Sequence, residues 1–338
     1  MRLSVVLPNF NHVRFLPEAL ESLLTQSVPP DEILVVDDAS TDGSVDLISG
    51  WSRRDPRVRL LRNDTNQGPA VGMNRGLALA SGDWVLFSAA DDRILPDLFA
   101  RSLRLLASHP EAGLCTALSR VMDDQGRDLG VYESPRVLAQ EGFLSSLRCL
   151  RALQVCGPWF MGNTAIYRRE ALQAAGGFHP ELRSLCDGFA CQLLALRHGA
   201  CFIPEPLACW RKTVAGYAAS DNADWHERFR LRERAAELMR ASYADVFPEA
   251  YVCLWERQSR YAAARMAWRE VRKRRDAYLG ETLPRLRQPE RAWERLLLGC
   301  AEGLARSGDL LVRLHLFLRF RGVGPWIRGK VGGWRGRG

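Results

Sequence analysis

Two adjacent carboxylates, Asp91 and Asp92, end the apolar run VLFSAADD. Ionised neighbours repel, and burying either one alone is costly. A hard divalent cation such as Mg²⁺ or Mn²⁺ cancels that repulsion and prefers oxygen ligands, so the pair is a candidate metal site. The plain alternative is that the two acids cap the helix that follows Pro96. Three more polar clusters follow three earlier apolar runs: Asn9 and Asn11 after LSVVLP, Asp37 and Asp38 after EILVV, and Asn63, Asp64 and Asn66 after VRLLR. Four polar clusters at four successive run ends point to one shared site.

The elements that must position them alternate in type. LSVVLP, EILVVDD, VRLLRN and DWVLFS are short runs rich in branched or aromatic residues and predict strands. Between them lie helical patterns, with Phe15, Leu16, Ala19, Leu20, Leu23 and Leu24 on one face of the first. SVDLISGWS predicts a second helix, with Ser40, Thr41 or Asp42 as its cap. GPAVGMNRGLALASG predicts a third, ended by Gly82, and residues 96–109 a fourth. This βα order argues for a mostly parallel sheet covered by helices, with ligands bound at the strands' carboxyl ends. Further on, REALQAAGGF and DGFACQLLALRHG predict helices, and ACFIP and LACWR predict two short strands.

The first strand runs into NFNHVRF, without the glycines of a dinucleotide fingerprint, and no Walker-type phosphate loop follows any strand. A diphosphate without a glycine cradle can be held through a divalent cation, which suits Asp91 and Asp92. No run of 18 apolar residues predicts a membrane span, and the N-terminus reads as a strand, not a signal peptide. The nine cysteines contain no CxxC pair, so reduced thiols serving as core hydrophobes in a cytoplasmic protein are expected. Net charge is +8, but unevenly spread: residues 225–338 carry +12 and residues 1–224 carry −4. Two regions with different partners are expected, with GYAASDNAD (residues 216–224) as the linker.

The segments SVVLPNFNHVRFLPEALESLLTQS, EILVVDDASTDGS, NQGPAVGMNRGLALASGDWVLFSAADD and GNTAIYRREALQAAGGF, in this order, resemble a family 2 glycosyltransferase of the GT-A fold over about residues 1–215. The resemblance implies a Rossmann-like α/β catalytic domain that binds an NDP-sugar, a UDP-sugar being favoured. It implies donor contacts from Pro8, Asn9, Asn11, Asp37 and Asp38, with Asn66, Gly68, Asn74, Asp91 and Arg211 completing the nucleotide-sugar site. Metal contacts are implied at Asp91 and Asp92, with Mn²⁺ or Mg²⁺ as cofactor. The family's D-x-D-D reads Ala89-Ala90-Asp91-Asp92 here, so its first acid is missing. Inverting transfer needs a base for the acceptor hydroxyl. The family's Glu-Asp pair falls on Cys186 and Asp187, which leaves Asp187 as the implied base; the alternative is a helix-start acid facing the dipole. Asn163 and Trp159 are candidates for the acceptor side, though core packing suits Trp159 better. Lys212 is an alternative to Arg211, and a surface role for Arg211 stays open.

The expected activity is sugar transfer to a hydroxyl of a glycan or lipid-linked acceptor in cell-surface polysaccharide assembly. Rival readings are a sugar nucleotidyltransferase, disfavoured by the missing glycine-rich basic loop, and a catalytically silent binding or scaffold protein, which Ala89 and Cys186 keep open. Residues 225–338 predict arginine-rich helices. Phe247, Leu254, Tyr261 and Trp268 recur every seven residues, and Trp293, Leu296, Leu297, Cys300 and Leu304 share a face, with Pro284 and Pro289 between. These helices pack on the catalytic domain or, through LLVRLHLFLRF, dock peripherally on anionic lipid. No nucleic-acid module is recognisable.

Overall fold

The computed structural model describes residues 1–213 and 225–270. The chain divides into two units, Met1–Gly216 and Tyr217–Gly338. The proposed linker and the two C-terminal patterns beyond residue 270 lie outside the described residues.

The first unit is built on one mixed sheet. Its strands are β1 (Leu3–Asn9), β2 (Glu32–Asp37), β3 (Val58–Arg62), β4 (Trp84–Phe87), β5 (Arg93–Ile94), β6 (Leu114–Met122), β7 (Asp128–Val131), β8 (Gly142–Leu144), β9 (Ile166–Arg168) and β10 (Ala200–Arg211). They lie in the order β3-β2-β1-β4-β9-β6-β10-β5, with β7 beside β6 and β8 beside β10. The first four run parallel, in the registers Asn9↔Asp37, Asp37↔Arg62 and Val6↔Phe87. β9 enters antiparallel between β4 and β6, and β6 and β10 are again parallel. β2 and β4 are buried at every position, as expected for strands covered on both faces.

The helices are α1 (Leu16–Leu24), α2 (Ser44–Arg54), α3 (Pro69–Leu79), α4 (Leu98–Ser108), α5 (Ser146–Cys156), α6 (Arg169–Ala174) and α7 (Cys186–His198). Leu16, Leu20 and Leu23 of α1 and Leu98, Phe99 and Leu106 of α4 close the core against Val5, Leu7, Val35, Leu86 and Ile203. The chain winds outward from β1 through β2 to β3, then crosses to β4 on the other side of β1. That reversal opens a crevice at the carboxyl ends of β1 and β4, where ligands bind in sheets of this kind.

Several expectations need correction. ACFIP and LACWR are one strand, β10; irregularities around Pro206 in its pairing with β6 let the chain pass the proline without ending the strand. α3 ends at Leu79, before Gly82. Gly82 instead allows close approach: a Cβ there would lie 2.7 Å from the Ser4 backbone nitrogen. Gly43 occupies the cap position of α2, while Asp42 accepts the Ser44 N–H at 3.0 Å and the Val13 N–H at 2.8 Å. Asp97, in a left-handed conformation, occupies the cap of α4, so Asp91 and Asp92 do not cap that helix.

In the second unit, α8 (Trp225–Ala241) and α9 (Glu249–Glu270) pack together. Arg240 pairs with Glu249, and Arg232 lies over the Trp255 ring at 4.1 Å, a pattern that makes the helices antiparallel. Val252, Trp255, Ser259 and Ala263 form the buried stripe of α9. Leu254 and Tyr261 of the seven-residue recurrence are only part-buried, because at about 100° per residue they lie on the side of the helix nearly opposite that stripe. No described helix is long and apolar enough to cross a membrane.

Candidate functional site

Two polar groups stand at the strand ends. The first is at β1 and β2. Asp37 accepts the Asn9 amide at 2.8 Å and the Ser40 N–H at 3.0 Å. Asp38 accepts Asn63 Nδ2 at 2.7 Å, Gly68 N–H at 2.7 Å and Gln67 N–H at 3.0 Å. These buried acids therefore shape the loops that carry the crevice wall. Ala39 between Asp38 and Ser40 turns with φ 64°, and Asn11, exposed with φ 56°, accepts Thr41 N–H at 2.8 Å. Asn9 Oδ1 is buried with no hydrogen-bond partner among the described residues. Pro8 is part-buried at the end of β1, and Asn66 is exposed, accepting Gly68 N–H at 3.1 Å. Asn74 bonds a different segment. Its amide bonds Phe178 reciprocally, through N–H at 2.8 Å and carbonyl at 2.7 Å, and so ties α3 to the GGF turn.

The second group is at the end of β4. Asp92 is 4% exposed; its Oδ1 accepts the Arg211 N–H at 2.8 Å and its Oδ2 accepts Asn163 Nδ2 at 3.0 Å. Burial pushes its carboxyl well above the usual range, and the neighbouring Asp91 charge adds to the shift. Asp91 is also pushed up by burial, against the pull of His12 and Arg211. Asp91 is part-exposed, and among the described residues no side chain donates to its carboxylate. Ala89, in place of the missing acid, is exposed at the rim.

Arg211 holds this corner together. Its Nε donates to the Asp91 carbonyl at 2.8 Å, and Nη1 donates to the carbonyls of Asp123 and Asp124 at 3.1 and 3.2 Å. Nη2 pairs with Glu18, and the guanidinium lies 4.7 Å over the Phe15 ring. At 3% exposure this is no surface residue, which removes that alternative. With its donors so engaged, the guanidinium serves as a clamp on the acid loop. Lys212, next in the chain, is exposed.

Asp187 is in the first turn of α7 and accepts the Gly188 N–H at 2.6 Å. Burial raises its carboxyl above the usual range. Cys186, in place of the expected glutamate, is buried, and burial pushes its thiol up. A short 3-10 turn, Gly162–Thr164, brings the two acid regions together. Asn163 holds Asp92 and, at 3.2 Å, the Ser119 hydroxyl, while Gly162 is backed directly by the Asp187 carboxylate, whose Cγ would lie 3.3 Å from a Cβ built there. Thr164 anchors the turn to the N–H and carbonyl of Ala117, at 3.0 and 2.9 Å. Asn163 Oδ1 is buried without a partner among the described residues. Trp159 is fully buried, a core residue.

Sequence reasoning missed Glu18, which sits among the polar positions of an amphipathic helix and gives no signal there. It also missed Gly162, whose role appears only when α7 is packed against it.

Residues 4–176 match the Glycosyl transferase family 2 model, and the chain belongs to that family. The PGL/p-HBAD biosynthesis glycosyltransferase of Mycobacterium bovis is 33% identical over 185 residues, 54% of this chain and 66% of that protein. Residues 1–349 of S. aureus TarS, solved with UDP-GlcNAc, superpose with a TM-score of 0.58 at 19% identity, covering 99% of this chain and 92% of that one. The mannosyltransferase PcManGT of Pyrobaculum calidifontis, solved with GDP-Man and Mn²⁺, gives 0.54 at 21% identity, covering 97% and 87%. The structural likenesses show the fold, which is GT-A. The matches span from 28% to 68% of the length of the first curated relatives.

Proposed function

We propose that this glycosyltransferase moves a sugar from a nucleoside-diphosphate sugar to an acceptor hydroxyl with inversion. The observation that carries the reading is the Gly162–Thr164 turn, which links Asp92 through Asn163 to the Asp187 carboxylate behind Gly162. A phosphate-side acid pair and a candidate base thus meet across two residues.

A divalent cation fits the acid pair in part. Asp91 has a carboxylate that burial disfavours in its ionised form and to which no side chain among the described residues donates. Asp92 already accepts from Arg211 and Asn163, so Asp91 would hold the cation and Asp92 would support it from behind. No cluster of three or more His, Cys, Asp or Glu able to hold a metal occurs among the described residues. The remaining ligands would be diphosphate oxygens and water. When bound, the cation would neutralise charge on the leaving nucleoside diphosphate.

The protein's own groups do the rest. Asn9, Asn11 and the loops braced by Asp37 and Asp38 flank the nucleoside. Asp187 accepts the proton of the acceptor hydroxyl as that oxygen bonds to the anomeric carbon. The bond from that carbon to the diphosphate breaks on the opposite face, and the electron pair leaves with the phosphate. Its raised proton affinity suits Asp187 to this task better than an ordinary carboxylate. Ala89 leaves the donor side one acid short, which makes cation binding weaker and does not touch the base. The biosynthetic roles named for the mycobacterial relative and for the putative teichuronic acid biosynthesis glycosyltransferase of Bacillus subtilis favour a role in polysaccharide assembly.

The test is turnover of a panel of UDP- and GDP-sugars with Mn²⁺ by the full-length protein and its Asp91→Asn and Asp187→Asn variants. Both variants lose turnover by orders of magnitude with folding intact. Near-normal rates in either remove that residue from the mechanism.

A further inference from the structure

The edge of the sheet beside the acid pair carries aromatic surface that neither the core nor the donor site uses. Tyr132, just after β7, is 42% exposed, and its ring meets Trp210 of β10 edge to face, centroids 5.8 Å apart at 85°. In this arrangement one ring leaves a face uncovered by the other. Both rings stand on one face of the sheet. Trp210 is in register with Val121 of β6, Val121 with Gly130 of β7, and the Tyr132 N–H donates to the Ser119 carbonyl at 2.9 Å. Side chains at paired positions share a face. Gly130, at φ 101°, has nothing within 4 Å of where a Cβ would be, so the face has a notch beside the rings.

The same face leads directly to the reacting groups. Ser119 Oγ accepts Asn163, which also donates to Asp92. Trp210 immediately precedes Arg211, whose N–H donates to Asp92 Oδ1. The aromatic pair is thus fixed, one bonded residue away on each side, to the corner where the acids stand. Beyond it, Ser134 donates to the Trp159 carbonyl at 3.0 Å, so the segment after Tyr132 is tied to the chain leading into the Gly162 turn. The donor contacts argued above lie at the ends of β1 and β2, leaving this side for the other substrate.

We propose that Tyr132 and Trp210 form an acceptor shelf for a pyranose ring, so that the acceptor is a saccharide and not an acyclic polyol. A pyranose presents a flat face of C–H groups with hydroxyls at its edge. Aromatic faces carry negative charge density that attracts such C–H groups while the hydroxyls stay free to reach polar partners. Asn163 Oδ1, buried and unpartnered among the described residues, supplies an acceptor for one of those hydroxyls. An open-chain polyol has no flat face to lay on the rings. This assignment rests on the transferase reading of the site.

The experiment uses the full-length protein, Mn²⁺ and a panel of UDP- and GDP-sugars, first without acceptor, then with methyl glucopyranosides, methyl mannopyranosides or ribitol. If no donor is bound or consumed, the transferase reading fails and the shelf falls with it. If donor is consumed, the shelf is tested by itself. The expected result is transfer to a pyranoside, with Tyr132→Ala and Trp210→Ala each raising acceptor KM about tenfold, the scale of one lost aromatic contact. Donor KM moves less than about twofold, and Tyr132→Phe restores acceptor KM because it keeps the ring. Tyr132→Ala leaves β10 untouched, so it remains informative if Trp210→Ala folds poorly. Preferred transfer to ribitol, no transfer to any pyranoside, or an unchanged acceptor KM in Tyr132→Ala overturns the proposal.

Discussion

The Asp187 carboxylate fills the space that a side chain on Gly162 would need; its Cγ would lie 3.3 Å from a Cβ there, and its Oδ2 far closer. Asn163, the next residue, donates to Asp92 at 3.0 Å. One turn thereby sets the separation between the candidate base and the acid pair.

Gly162→Ala must push Asp187 aside. Overpacking of this kind costs about 1–3 kcal/mol of stability. Misplacing a reacting group by an ångström costs on the order of 10²-fold in rate. The expected result is a large fall in kcat with donor KM nearly unchanged, read by steady-state kinetics beside thermal melting. An unaltered kcat would show that the turn does not position the base.

Asp91→Asn should stabilise the protein while abolishing transfer. Burial raises the carboxyls of Asp91 and Asp92 above their unfolded values, so the folded state holds their protons more tightly. The stability linked to those protons is complete below the unfolded values and declines as pH rises toward the folded ones. The like-charge cost is therefore larger at pH 8 than at pH 5. Removing the Asp91 charge therefore raises stability at pH 8, and does so less at pH 5. Thermal melts at both pH values check this; a lower Tm than wild type at pH 8 contradicts it. Divalent cation should likewise raise the wild-type Tm more at pH 8.

Arg211→Ala removes the partner of three backbone carbonyls and one of the two arginine partners of the part-exposed Glu18, which keeps Arg93. Leaving the buried carbonyls unsatisfied costs about 1–3 kcal/mol. Arg211→Lys recovers little, because an ammonium cannot reproduce the planar fork. Denaturant melts are expected to show the loss without ligand present. If stability held and only donor KM rose, Arg211 would be a diphosphate contact instead of a clamp.

The pH dependence of kcat/KM should show an acid limb above the ordinary aspartate value of about 3.9, because burial raises the Asp187 carboxyl. Activity falls as that carboxylate gains its proton. Asp187→Asn should lose on the order of 10²–10⁴-fold and flatten that limb. A limb that persists unchanged in the variant assigns it to another group.

The parallel half of the fold was legible because β1 to β4 are apolar runs separated by regular helices, each ending in polar residues at the rim. The second half was legible only in α6, α7 and the two parts of β10, which read as separate strands. β6 and β10 cross regions where apolar residues, proline and cysteine give no clean period, β7 is short and mostly exposed, and β8 is only three residues long. Asp91 and Asp92 stood out by type and spacing, and Asp187 through the family resemblance. Their supports did not: Glu18, Gly162 and Ser119 act through partners distant in sequence, which only packing reveals. Asn74, implied as a donor contact by the resemblance, has a bonding partner in the Phe178 backbone that nothing in the sequence signalled.

The central claim is that Asp187 and the acid pair form one inverting site. It is tested most directly by ¹H NMR of the sugar first released when the full-length protein hydrolyses an α-linked nucleotide sugar in the absence of acceptor. Attack from the face opposite the diphosphate gives the β-anomer before mutarotation, and Asp187→Asn abolishes its appearance. Initial release of the α-anomer would contradict the account.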